Sequence, residues 1–123
     1  MTSVRSLKLL LGMSVFVIIV GFGFGQPILA EDFSKSISQA DNKVILEQFD
    51  EAKKIYKKVI DKSNVPSFVA YAHYKLGALY QKKQKTARAH QEYQKGLDTL
   101  FKAGHKNHKI GKYLTQAMKD MGR

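Results

Sequence analysis

One pattern occurs twice in this chain: Ala52-x3-Tyr56-x2-Val59 returns as Ala89-x3-Tyr93-x2-Gly96, 37 residues later. Small and aromatic residues at spacings of four and three lie on one helical face. Each copy follows a turn and opens a helix. Around the first copy, Phe49, Ala52, Ile55, Tyr56, Val59 and Ile60 form an apolar stripe, and Lys53, Lys54, Lys57 and Lys58 take the opposite face. Asp50 suits the N-cap or first turn, and Asp50 and Glu51 both favour the positive helix start. Asn64-Val65-Pro66 stops this helix, and Pro66 can open the next.

The remaining pattern extends the helical reading. A second helix runs from about Ser67 to Lys82, with Val69, Ala72, Leu76, Leu79 and Tyr80 inward. After Lys82-Lys83-Gln84-Lys85, Thr86 caps a third helix, from Ala87 to about Ala103. Its apolar face is Ala89, Tyr93, Gly96, Leu97, Leu100 and Phe101, and Gly104 suits its left-handed end. A last helix, about Asn107 to Met121, turns Ile110, Tyr113, Leu114, Ala117, Met118 and Met121 inward and stops at Gly122. Residues 32–47 read as a helix through Phe33, Ile37, Ala40, Val44 and Ile45, with Asp41-Asn42 interrupting its apolar face. No stretch alternates with period two, so the predicted fold class is all-α, and short connections make the helices antiparallel.

A companion precedes the second copy: Leu76-Gly77-x2-Tyr80 ends nine residues ahead of Ala89. Gly77 and Ala89 remove bulk where two antiparallel helices cross, and Leu76, Tyr80 and Tyr93 fill the space around that crossing. The whole run, Leu76-Gly77-x2-Tyr80-x8-Ala89-x3-Tyr93-x2-Gly96, resembles the tetratricopeptide repeat (TPR) signature. His73 stands where that family has an aromatic residue. Phe49-Asp50-Glu51-Ala52 with Tyr56 and Pro66 looks like the second half of another repeat. Its first half is degenerate, with Gln39, Ala40 and Lys43 in place of Leu, Gly and Tyr. The family period is about 34, so the offset here implies about three extra residues, placed in Ser63–Ser67. The resemblance covers about Phe33–Phe101, one and a half to two repeats within a helical domain of residues 31–123. The last helix, about 107–121, looks like a C-terminal capping helix.

TPR-like arrays are binding scaffolds whose concave face, lined by the first helix of each pair, holds a peptide or a partner helix. Carried onto this chain, the resemblance implies a partner-binding face of Tyr71, Tyr74, Lys75, Ala78, Gln81 and Lys82. Tyrosines with lysines suit an extended or acidic peptide. Tyr74 is equally suited to packing on a neighbouring helix. Chaperone-binding members grip a terminal carboxylate with Lys, Asn and Arg; Tyr74 and Ala78 stand where part of that clamp would be, so that ligand is not expected.

The N-terminus reads as an address. Arg5 and Lys8 precede the 17 uncharged residues Leu9–Gly25, and Gln26-Pro27-Ile28-Leu29-Ala30 precedes Glu31-Asp32. This is the three-part layout of a secretory signal over residues 1–30, cut after Ala30. An uncleaved signal anchor is the competing reading, since 17 residues sit at the lower limit of a span that usually takes about 20. Either way residues 31–123 are expected in the periplasm, the cell envelope or outside the cell. The absence of cysteine excludes a disulfide scaffold, a thiol nucleophile, a cysteine zinc site and a lipid-anchored lipoprotein.

The chain carries a net charge of +11, and residues 67–123 hold twelve basic against three acidic side chains. Such asymmetry points to an acidic partner or an anionic surface, although a solvated lysine-rich surface produces the same count. Nucleic acid is a poor partner for an exported chain without a binding motif. Chemistry-bearing motifs are lacking: no phosphate loop, no nucleophile elbow, no His-Glu-x2-His. His105-x2-His108, flanked by lysines and without a nearby carboxylate, reads as a solvated loop rather than a metal site. His73 and His90 read as surface or partly buried residues. The expectation is a non-enzymatic exported scaffold or adaptor without metal or cofactor, binding a protein or peptide. The alternative is a cationic binder of anionic lipid or cell-wall polymer through residues 67–123, and stacking of exposed array ends would allow self-association.

Overall fold

Helix boundaries follow local chemistry. In the computed structural model, which describes residues 32–122, the helices are α1 Phe33–Ile45, α2 Phe49–Lys62, α3 Pro66–Lys82, α4 Thr86–Lys102 and α5 Lys109–Met121. The signal-like stretch 1–30 lies outside the described residues. No strand occurs among the described residues, and the fold is all-α, built of antiparallel helical hairpins. Pro66 opens α3, where a missing N–H costs nothing. Asp50 and Glu51 sit in the first turn of α2, two and three residues inside its N-cap Gln48. Thr86 is not a cap: it is the first residue of α4, and Lys85 occupies the cap position without a side-chain bond. His108 does cap α5, its Nδ1 accepting from the Ile110 N–H at 3.2 Å. Asp41-Asn42 leaves α1 unbroken. The loop before α3 is only residues 63–65, so the surplus of the 37-residue offset is absorbed as helix in the first turn of α3.

The turns repeat as faithfully as the sequence. Glu47 has φ 59°, Gln84 φ 58° and Gly104 φ 77°, each one residue past a helix C-cap. In each, the next N–H reaches back five residues: Gln48 to Lys43 O at 2.8 Å, Lys85 to Tyr80 O at 2.9 Å, His105 to Leu100 O at 2.8 Å. This left-handed closure satisfies the last helical carbonyls and reverses the chain tightly.

Helix α3 packs against all four others, whereas α2 and α4 do not meet. The helices therefore form an inner row of α1, α3 and α5 and a splayed outer row of α2 and α4. Two apolar clusters flank α3. One joins Phe33, Ala40, Ala52, Tyr56, Val59, Ala72, Leu76 and Leu79. The other joins Ala70, Ala89, Tyr93, Leu100 and Leu114. Three residues assigned inward by pattern are outside: Ile45 is 76% exposed, Phe101 54% and Tyr113 47%. Each stands next to another apolar residue, Val44, Leu100 or Leu114, that takes the core position. A helix turns 100° per residue, so only one of two neighbours can face the core.

Candidate functional site

Asp41, which interrupts the apolar stripe of α1, ties three helices together. One carboxylate oxygen accepts the Tyr56 hydroxyl of α2, and the other accepts the Tyr71 hydroxyl of α3 at 2.8 Å. The Lys75 ammonium lies 3.4 Å from the same carboxylate. Burial, then the bond to Asp41 and its negative charge, hold both phenols above the ordinary tyrosine range. Tyr71 and Lys75 are thus committed to internal contacts through their polar ends, while their flanks remain partly open.

Tyr74 is the centre of an aromatic row. Its ring centroid is 6.3 Å from Tyr71, 6.0 Å from Tyr93 and 6.2 Å from Tyr113 of α5. These spacings lie within the range of attractive ring pairs. Tyr93 donates its hydroxyl to Gln81 Oε1 at 2.8 Å, and burial with the neighbouring Tyr74 pushes its pKa up to about 12. The Tyr74 and Tyr113 hydroxyls make no hydrogen bond among the described residues, so they are available to a ligand.

Two grooves flank this row on the face formed by the inner helices. One, of about 280 Å³, lies between α3 and α5 and is bordered by Tyr74, Ala78, Gln81, Tyr113 and Gln116. The other, of about 290 Å³, is bordered by Ser34 and Ile37 of α1, Phe68 and Tyr71 of α3, and Ile110 of α5. Of the six residues that the resemblance placed on this face, Tyr71, Tyr74, Lys75 and Ala78 sit together, with Gln81 at the edge. Lys82 departs from the set. Its ammonium lies 5.2 Å over the ring of Phe49 in α2, because the helix ends there and the chain turns outward.

Neither a family model, nor a curated protein, nor a solved structure matches this chain.

Tyr113 and Asp41 were missed by pattern reading. An aromatic beside Leu114 looks like core, and an acid in an apolar stripe looks like a break. A signal for α5 was nevertheless present: Ile110-Gly111-x2-Leu114 repeats Leu76-Gly77-x2-Tyr80 34 residues on. It marks α5 as another inner-row helix, whose neighbours of Leu114 then reach the shared face. The repeat-packing positions Ala52, Tyr56, Leu76, Gly77, Ala89, Tyr93 and Gly96 are buried, and Tyr80 is half-buried under the Arg88 guanidinium at 5.8 Å. His73 is also buried, 8% exposed, with Nδ1 2.7 Å from Glu92 Oε2. Burial alone would raise the Glu92 carboxyl, but His73 and Lys95 together hold it below the ordinary range. This pair closes the α3–α4 interface and does not line the tyrosine face. Among the described residues no group of three or more His, Cys, Asp or Glu could hold a metal ion.

Proposed function

We propose that this chain is a small TPR-like scaffold, non-enzymatic and exported, that binds a peptide or a helix of another protein on its inner face. The observation that carries this reading is the Tyr71–Tyr74–Tyr113 row between two open grooves. Half-exposed tyrosines supply contact area at little entropic cost, and the hydroxyls of Tyr74 and Tyr113 add directional bonds, that of Tyr71 being donated to Asp41. Lys75 is held by Asp41 and Asp120 lines the α3–α5 groove, so binding rests on the rings and does not require an acidic ligand. The signal-like stretch 1–30 supports export. Tyr113→Ala leaves the core untouched and removes one ring of the row. With a photo-reactive residue at Ala78 in the full chain, a single protein partner should cross-link in the native cell, and Tyr113→Ala should abolish the adduct. An adduct unchanged by Tyr113→Ala and Tyr74→Ala would refute the assignment.

A second reading rests on the cleft between α2 and the α3–α4 turn. Lys53, Lys83, Lys85 and Arg88 surround Phe49 and Tyr80 there, and only Lys53 and Lys83 share a carboxylate, Asp50, at 3.8 and 3.6 Å. An anionic lipid or wall polymer would suit this cationic cleft. Binding through it would collapse with salt and ignore Tyr113→Ala.

A further inference from the structure

The geometry points to a second docking site, the groove along the α4–α5 seam, with an acidic amphipathic helix of a partner protein as its occupant. The proposal is independent of the tyrosine face. Helix α3 receives α4 through one stripe. His73 meets Glu92, the Tyr93 ring covers Gly77, and Gln81 accepts the Tyr93 hydroxyl. The same positions 34 residues on are Asn107, Gly111 and Thr115. Asn107 lies in the loop before α5, and Gly111 is buried on the side that faces Leu97 and Leu100 of α4; no described helix covers the other side of this second stripe. It lines a groove of about 400 Å³ whose other wall is Leu97 and Phe101 of α4. Phe101 is 54% exposed there.

The two glycines differ in what they are needed for. A Cβ at Gly77 would lie 2.3 Å from the Tyr93 ring, so internal packing demands the glycine. A Cβ at Gly111 would meet Leu100 Cδ1 at 3.5 Å, an ordinary contact, so internal packing makes no such demand. Gly111 is buried among Leu97, Leu100 and the Lys106 carbonyl, yet no ring fills the space beside it as Tyr93 does at Gly77, and it borders the groove.

Charge selects the occupant. Lys106, Lys112 and Lys119 border the groove and no carboxylate lines it. The Lys106 ammonium lies 6.0 Å over the Phe101 ring. A second copy would offer α2, with five lysines against Asp50, Glu51 and Asp61, or α4, with Arg88, Lys95 and Lys102 against Glu92 and Asp98, and both are net basic. Residues 1–30 carry Arg5 and Lys8 and no acid. Both are repelled. A helix with flanking acids and an aromatic residue seated beside Gly111 satisfies both the shape and the charge.

The test is fluorescence anisotropy of the full chain with a labelled peptide of sequence Thr86–Lys102 carrying Arg88→Glu, Lys95→Glu and Lys102→Glu. A scrambled peptide of the same composition is the control. The ordered peptide should bind roughly tenfold more tightly than the scrambled one, and Gly111→Leu should erase the difference. Lys112→Glu with Lys119→Glu, both on the exposed surface, should weaken binding by a similar factor, whereas Tyr113→Ala should not. Equal affinity for the two peptides, no binding, or indifference to the lysine changes would overturn the proposal. So would a dimer of the unmodified chain that the same lysine changes dissociate, since the occupant would then be a second copy.

Discussion

The ring of Tyr93 occupies the volume that a side chain at Gly77 would need, with Cε1 only 2.3 Å from where a Cβ would stand. The ring cannot swing away freely, because its hydroxyl is held by Gln81 and its face by Tyr74. Gly77→Ala should therefore destabilise the chain by about 1–3 kcal/mol, despite a helix-propensity gain of about 1 kcal/mol. Gly111→Ala, where the added methyl finds ordinary contacts, should be neutral or stabilising by up to about 1 kcal/mol. Urea denaturation of both variants checks the contrast, and equal effects would contradict the packing described.

Gln84 holds φ at 58° without being glycine. The left-handed region costs an ordinary L-residue about 1 kcal/mol. Gln84→Gly should raise stability by roughly 0.5–1 kcal/mol, the gain being reduced by the larger chain entropy of unfolded glycine. The melting temperature of this single variant decides the matter, and a drop would mean that the turn is not closed as described.

Asp41 accepts from two tyrosines and faces Lys75. Its removal leaves the hydroxyl of Tyr56, a fully buried residue, without its acceptor. Asp41→Ala should cost about 1–3 kcal/mol, and Asp41→Asn less, since the amide oxygen still accepts one bond. If Asp41→Ala melts with the parent chain, the three-helix junction contributes nothing.

The Glu92 carboxyl is held low in the folded state, between His73 at 2.7 Å and Lys95 at 3.5 Å. A depressed folded value means stability that is fully present above the ordinary glutamate value of 4.5 and is lost as pH falls through the folded one. The parent chain should lose stability in that acid window, and Glu92→Gln should lose less while being weaker at neutral pH. Thermal melts at neutral pH and near pH 3 give the comparison; parallel slopes would remove Glu92 from the account.

Legibility in the sequence tracked what repeats. The spacing of Ala52 and Tyr56 against Ala89 and Tyr93 announced the outer helices, and Leu76-Gly77 announced their partner. Those residues act through volume and local periodicity, which one helix displays by itself. Asp41, Tyr113 and Phe101 did not declare themselves, since their roles depend on which neighbour a helix meets. Asp41 is a break only until Tyr56 and Tyr71 arrive from two other helices. Tyr113 and Leu114 are both apolar enough for a core, and only the approach of α3 to α5 decides between them. Lys82 belonged to the concave set by register, yet its long stem carries the charge to Phe49 instead. Side-chain reach of this kind is invisible to spacing.

The two apolar clusters share no helix but α3. Each is assembled from one hairpin on one side of it, so neither has to be redesigned when the other changes. The shared helix is therefore the one element through which a change in either cluster can reach the other, and the helix bearing Tyr71 and Tyr74 feels strain from both sides.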